Sequence, residues 1–218
     1  MSKYFNEEKI ITSAEYGFNH LTSPNIVVRN DIEQGTPEWH EIRSYSCGST
    51  GAYSVLKNGF YPDKLKSSEY GGYCSKEMQR GHDLEPEARF LLETLLTPKG
   101  ITIEEVGAVL NKKWPHCHDS PDGVLIQNNE FIGCCEIKCF QEPHHKKILE
   151  DGIETEIKAQ LMWHLWMSET RLGYFVAYNP DMKEIKDRLY IEKIILSDDY
   201  IYNFNNKVSK GLERLQDG

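Results

Sequence analysis

SPDGVLIQNNEFIGCCEIKCF, residues 120–140, reads as a hairpin with three charges at its open end. Val124, Leu125 and Ile126 run into the turn formers Asn128 and Asn129, after which Phe131 to Phe140 is again apolar apart from Glu136 and Lys138. Alternation along a strand puts Glu136 and Lys138 on one face and Ile137 on the other. A loop of three residues, Asn128 to Glu130, sets Asp122 directly across from Glu136. A loop of two sets it across from Cys135, and a bulge near Gly123 or Gly133 is then needed to restore the pairing.

Two carboxylates at the edge of an apolar sheet repel each other unless a cation lies between them, and hard oxygen donors suit magnesium or manganese. Lys138, one pleat further on, would face the water bound to that metal, where an ammonium can hold or activate a hydroxide. A Glu and a Lys two apart also occur on ordinary solvated hairpins. Here they are embedded among Ile132, Cys134, Cys135, Ile137, Cys139 and Phe140, which implies burial, and buried charges need partners.

The chain has 218 residues with 39% hydrophobic and 27% charged side chains, enough for one substantial domain with a core. We read residues 34–218 as that domain and 1–33 as an extension packed on it. No apolar run approaches the length of a membrane span, and MSKYFNEEKI carries charges where a signal peptide needs an apolar segment, so a cytoplasmic protein is expected. The formal charge of -9 argues against a protein that coats nucleic acid non-specifically, but not against a nucleic-acid enzyme whose carboxylates are neutralised by metal. Six cysteines, at 47, 74, 117, 134, 135 and 139, include no CxxC pair and point to a reducing environment. A zinc or iron-sulfur site using them with His116 and His118 is disfavoured, because Cys135 and Cys139 share a strand face opposite Cys134.

The flanking segments supply a scaffold. A short helix is expected over Ser13 to Leu21 and a strand at Ile26 to Val28. In QGTPEWHEIR, residues 34–43, Thr36 can cap a helix with Pro37 in its first turn. The small residues Gly48 to Gly51 lead into another short helix ending at Gly59. Ser49, Thr50 and Arg43 there can make a phosphate cradle, although a capped helix joined by a Gly/Ser turn has the same composition. Residues 60–74 read as an exposed loop. The helical pattern of residues 75–96 is interrupted by Gly81 and Pro86, which predicts a kink or a start near Asp83, with Glu85 at the irregular point as a further candidate carboxylate. ITIEEVGAVL should form a strand beside the hairpin, and EPHHKKILEDG a polar loop. A helix through ETEIKAQLMWHLWMSE carries Gln160, an amide that could orient a water or a phosphate, on an otherwise apolar inner side that includes His164. Strands at GYFVAYNP and Leu189 to Ile195 and a closing helix from Asp198 complete an α/β (α+β) fold with a mixed central sheet flanked by helices.

SPDG followed by ExK resembles the signature of the PD-(D/E)xK nucleases, and three more segments narrow the likeness. QGTPEWHEIR with CGSTGA, RGHDLEPEA, and AQLMWHLWM followed by YFVAYNP are similar, in order and spacing, to motifs of the lambda exonuclease (YqaJ-like viral recombinase) family. The resemblance spans about residues 34–180. It implies a restriction-endonuclease-like core in which Asp122, Glu136 and the Ile137 carbonyl hold metal. Lys138 would serve the nucleophile, Glu85 a second ion, Gln160 would assist, and Arg43 with Ser49 or Thr50 would bind a terminal 5′-phosphate. It further implies a magnesium-dependent 5′-to-3′ exonuclease that acts on double-stranded DNA ends and releases 5′-mononucleotides, a ring-shaped homotrimer, and a single-strand annealing protein as partner. Met162 stands where a second glutamine can occur, and extra residues precede the tryptophan motif. An endonuclease or RNase using the same site, or a DNA-end binding module without catalysis, would carry much of the same pattern.

Overall fold

The computed structural model describes residues 5–10, 23–59, 61 and 75–213. The expected helix at Ser13 to Leu21, most of the loop at 60–74 and Cys74 lie outside these residues. A six-stranded mixed sheet forms the centre. It is built from Phe5–Ile10 (β1), Ile101–Glu104 (β3), Gly123–Gln127 (β5), Glu130–Lys138 (β6), Leu172–Tyr178 (β7) and Leu189–Ile195 (β8), in the order β1-β8-β7-β6-β5-β3. β6 and β7 are parallel, as are β1 and β8, and the other neighbours are antiparallel. Ile26–Arg29 (β2) and Ala108–Asn111 (β4) make a separate antiparallel pair.

Because adjacent residues of a strand face opposite ways, the sheet supports two cores. Val124, Cys134, Phe175 and Ala177 pack toward Leu161, Trp163 and Leu165 of the helix Thr155–Met167 (α5), which is preceded by Glu142–Asp151 (α4). Leu125, Ile132, Cys135, Ile137 and Val176 pack toward Ala88, Leu92 and Leu96 of Lys76–Leu96 (α3). Cys134 and Cys135 thus enter different cores. Pro37–Tyr45 (α1), Ala52–Asn58 (α2) and the closing Asp198–Glu213 (α6) complete the helices. Thr36 caps α1, accepting from the Trp39 amide, with Pro37 in the first turn. Among the described residues no helix is long and apolar enough to cross a membrane.

Three expectations are corrected. α3 starts at Lys76 under a Ser75 cap, not near Asp83, and stays helical through Pro86. Proline removes one bond to the carbonyl four residues back, and His82, Asp83 and Pro86 are exposed, so water can take the orphaned group. ITIEEVGAVL is two strands, because at Gly107 the chain passes so close to Ile32 that an added Cβ would stand 2.2 Å from its carbonyl oxygen. β3 therefore pairs with β5, while β4 turns away to β2. EPHHKKILEDG is the helix α4, with Pro143 in its first turn, His145 and Ile148 buried on one side, and Lys146 paired with Glu142 on the other.

Candidate active site

The hairpin combines both registers considered for it. Asn128 and Asn129 form a loop of two, both at positive φ (53° and 63°), and Gln127 pairs with Glu130. The register then shifts between Leu125 and Ile126, where Ile132 is the extra residue beside Gly133, so that Leu125 faces Gly133 and Gly123 faces Cys135. That bulge carries Asp122, just before β5, to the level of Glu136. The Asp122 carboxylate accepts the Ile137 amide through Oδ2 at 2.7 Å.

Glu136 is buried at 4% exposure on the α5 side of the sheet, and both its oxygens are engaged. Lys138, two residues along the same face, pairs with Oε1. His164 of α5 bonds Oε2 through Nε2 at 2.6 Å, and its Nδ1 bonds Oδ1 of Asp119 at 2.6 Å. Burial alone would raise the Glu136 pKa, but Lys138 and His164 outweigh it and hold the carboxyl down at about 2. Asp122 goes the other way. Burial first, then the Glu136 charge with Glu85 adding, push it up to about 8 against the pull of Lys138 and the Ile137 amide. Burial opposes the charge of Lys138, yet Glu136 and Asp122 raise its pKa, so it remains an ammonium. His164 is likewise held up at about 10, Asp119 and Glu136 overcoming its burial.

A carboxyl lifted out of its ordinary range by a neighbouring carboxylate is one that a cation would relieve, and two carboxylates with a nearby backbone carbonyl are a hard donor set suited to a divalent ion. Among the described residues no three His, Cys, Asp or Glu side chains already stand as a ligand cluster. Glu85 explains why. It lies on α3, partly buried, with its carboxylate on Arg89 at 2.5 Å. Arg89 also bonds Glu105 at 2.6 Å and the Asp122 carbonyl at 2.7 Å, so it ties α3 to the start of β5. Burial raises the Glu85 pKa, with the Arg89 charge opposing. Gln160 is half-buried on α5, one turn before His164 and on the same side of the helix. Since α5 lies in the crossover from β6 to the parallel β7, that turn points to the Lys138 end of β6.

The candidate phosphate residues are tied to the same loop. The Arg43 guanidinium lies 4.2 Å from the centre of the Trp39 ring, whose Nε1 donates to Ser120 at 3.0 Å. Ser46 gives its hydroxyl proton to the Ile42 carbonyl and accepts from Nδ1 of His118 at 2.7 Å, while Trp163 donates to the His118 carbonyl at 3.0 Å. Burial, then the Arg43 charge, lower the His118 pKa to about 3, so the ring is neutral. The Gly48 amide is occupied by the Tyr61 hydroxyl at 2.7 Å, which leaves Ser49, Thr50 and Arg43 as the side chains of that cradle.

Asp119, His164 and Arg89 were not among the residues singled out from sequence. Arg89 carries a signal, the i,i+4 spacing from Glu85. His164 carries a fainter one, a titratable ring among LMW and LWM, and Asp119 is legible only once His164 is placed.

Residues 38–171 match the family of the YqaJ-like viral recombinase domain. Among solved structures the chain is similar to LHK-Exo, an alkaline exonuclease from Laribacter hongkongensis, with 22% identity over 83% of this chain and 93% of that one and a TM-score of 0.66. The same protein in complex with dAMP gives 22% identity, the same coverage and a TM-score of 0.67. At this identity the likeness is one of fold. No curated protein matches the chain.

Proposed function

This chain belongs to the YqaJ-like viral recombinase domain family, and from that premise we propose that it is a magnesium-dependent exonuclease that removes one strand of linear double-stranded DNA from its 5′ end and leaves 3′ overhangs for recombination. What supports this most is the meeting of Asp122, Glu136 and Lys138 at one end of the hairpin, with Glu136 buried and held on both oxygens. Asp122, Glu136 and the Ile137 carbonyl would hold the ion, with manganese able to replace magnesium, and Glu85 would serve a second one by leaving Arg89. A bound divalent ion supplies Lewis-acid polarisation of the scissile phosphate and eases deprotonation of a water.

The chain's own residues supply the rest. Lys138, kept charged by its carboxylate neighbours, is a donor rather than a base, suited to orient a hydroxide and to balance charge on the phosphate. Gln160, by the same end of β6, would orient a water or a phosphate oxygen. Arg43 with Ser49 or Thr50 would take the terminal 5′-phosphate. The products would be 5′-mononucleotides, and LHK-Exo, of the same fold, has been solved with the mononucleotide dAMP. The same proposal includes a homotrimer around the DNA and a single-strand annealing protein that receives the overhang.

Lys138→Ala should abolish cleavage of a linear duplex while binding of the duplex survives, and chelation of divalent ions should stop the wild type. A fully active Lys138→Ala protein, or cleavage undiminished by chelation, would refute the mechanism.

A further inference from the structure

Asp119 is a carboxylate at 0% exposure whose side chain has one partner, His164, and whose Oδ2 bonds nothing among the described residues. Burying a charge this way is costly unless it serves its neighbour. His164, at 1% exposure, has no ring nitrogen left over, Nδ1 being on Asp119 and Nε2 on Oε2 of Glu136. The same two segments are tied a second time beside this contact, the indole Nε1 of Trp163, the preceding residue, donating to the carbonyl of His118, which precedes Asp119. Glu136 is therefore fixed with Oε2 turned into the protein and Oε1 turned toward Lys138.

We propose that Asp119 and His164 form a brace that orients Glu136 so that only Oε1, the oxygen now paired with Lys138, is presented to a divalent cation, which selects for magnesium over calcium. The proposal rests on the metal site described above and goes beyond it by assigning ion selectivity to two residues that would not touch the ion. Magnesium takes single carboxylate oxygens in a tight octahedron, whereas calcium readily takes both oxygens of one carboxylate. With Oε2 turned onto the His164 N–H, Glu136 is disposed to meet an ion through Oε1 alone, Lys138 sharing that oxygen, and two-oxygen chelation would require the brace to open. His164 is thus a positioning residue, and Asp119 sets the plane of its ring.

The two nitrogens of the ring can be imitated separately. In His164→Gln the side-chain amide reaches the place of Nε2 and can still donate to Glu136, whereas in His164→Asn it reaches only the place of Nδ1 and keeps Asp119 alone. Calorimetric titration of the purified full chain with magnesium and with calcium, beside thermal unfolding of each variant, separates the roles. His164→Asn should weaken magnesium binding by about 10- to 100-fold, the range for removing a residue that orients a ligand. Its calcium binding should fall much less, so that the preference shifts toward calcium, and His164→Gln should restore most of the magnesium affinity. Equal behaviour of the Gln and Asn variants, or a parallel loss for both ions, would overturn the proposal. If His164→Asn does not fold, Asp119→Ala, which frees the ring, should give the same shift of preference at smaller size, and unchanged affinities there would overturn it. Asp122→Asn distinguishes the two levels. Wild-type protein that takes up neither ion, or uptake indifferent to Asp122→Asn, removes the metal site itself. Uptake lost in Asp122→Asn but unaltered in the His164 variants removes only the brace.

Discussion

A methyl group at position 48 would stand 2.4 Å from Nε2 of His118, and the ring cannot step aside, because Nδ1 is held by Ser46 and the backbone carbonyl by Trp163. Gly48 is thus required by a close approach and not by its dihedral angles. Gly48→Ala should destabilise the fold by about 1–3 kcal/mol, the usual range for overpacking. For a chain of this size each kcal/mol lowers Tm by about 2–4 °C. Differential scanning calorimetry that finds no loss would mean that the ring relaxes freely. Residue-level chemistry also separates the two facing carboxylates. Glu136 has a lysine and a histidine bonded to it to keep it ionised, while Asp122 bonds one backbone amide and feels Lys138 only against the charges of Glu136 and Glu85, so it is Asp122 that would gain most from a cation.

At the scale of the element, the hairpin's job is to set register, and it does so with a turn and a bulge that compensate each other. Asn128 and Asn129 both occupy the left-handed region, which costs most L residues about 1–2 kcal/mol each and suits asparagine and glycine. Asn129→Gly should therefore leave stability unchanged or slightly raised, whereas Asn129→Val should cost about 1–2 kcal/mol, read as a shift of the urea midpoint. Equal midpoints for the two variants would argue against the turn. This hairpin also marks how far sequence reached. The alternation of IGCCEIK settled which side chains share a face, and the carboxylate pair followed, but turn length and bulge are coupled, and only their sum mattered to Asp122. Segments with long apolar periodicity, such as α5 and β8, were legible at once, and so was α3 apart from the effect of Pro86 on where it starts. α4 was not, since its buried face is only His145 and Ile148 among charges. The division of ITIEEVGAVL depends on a contact with Ile32, far off in sequence, and the Asp119–His164 brace depends on two segments that meet only in the fold.

The whole molecule carries a formal charge of -9, so a DNA backbone is repelled on balance and must be engaged at particular residues. In the proposed enzyme that favours recognition of an end over binding along the duplex, and it assigns Arg43 a larger share than one arginine has on a basic protein. Its guanidinium is spread on Trp39, whose ring nitrogen donates to Ser120, two residues before Asp122. A charge-assisted hydrogen bond to phosphate contributes about 1.5–3 kcal/mol. Arg43→Ala should therefore reduce the preference for 5′-phosphate over 5′-hydroxyl ends by about 10- to 100-fold, with much less effect on 5′-hydroxyl substrates. Digestion of linear duplexes with each end, the two strands carrying different labels, reads both the preference and the polarity, and covalently closed circles in the same tube should stay intact. An unchanged preference in Arg43→Ala removes that residue from end recognition. Nicked or linearised circles would mean instead that the same carboxylates and lysine cut internally, so that access to the site is not restricted to ends.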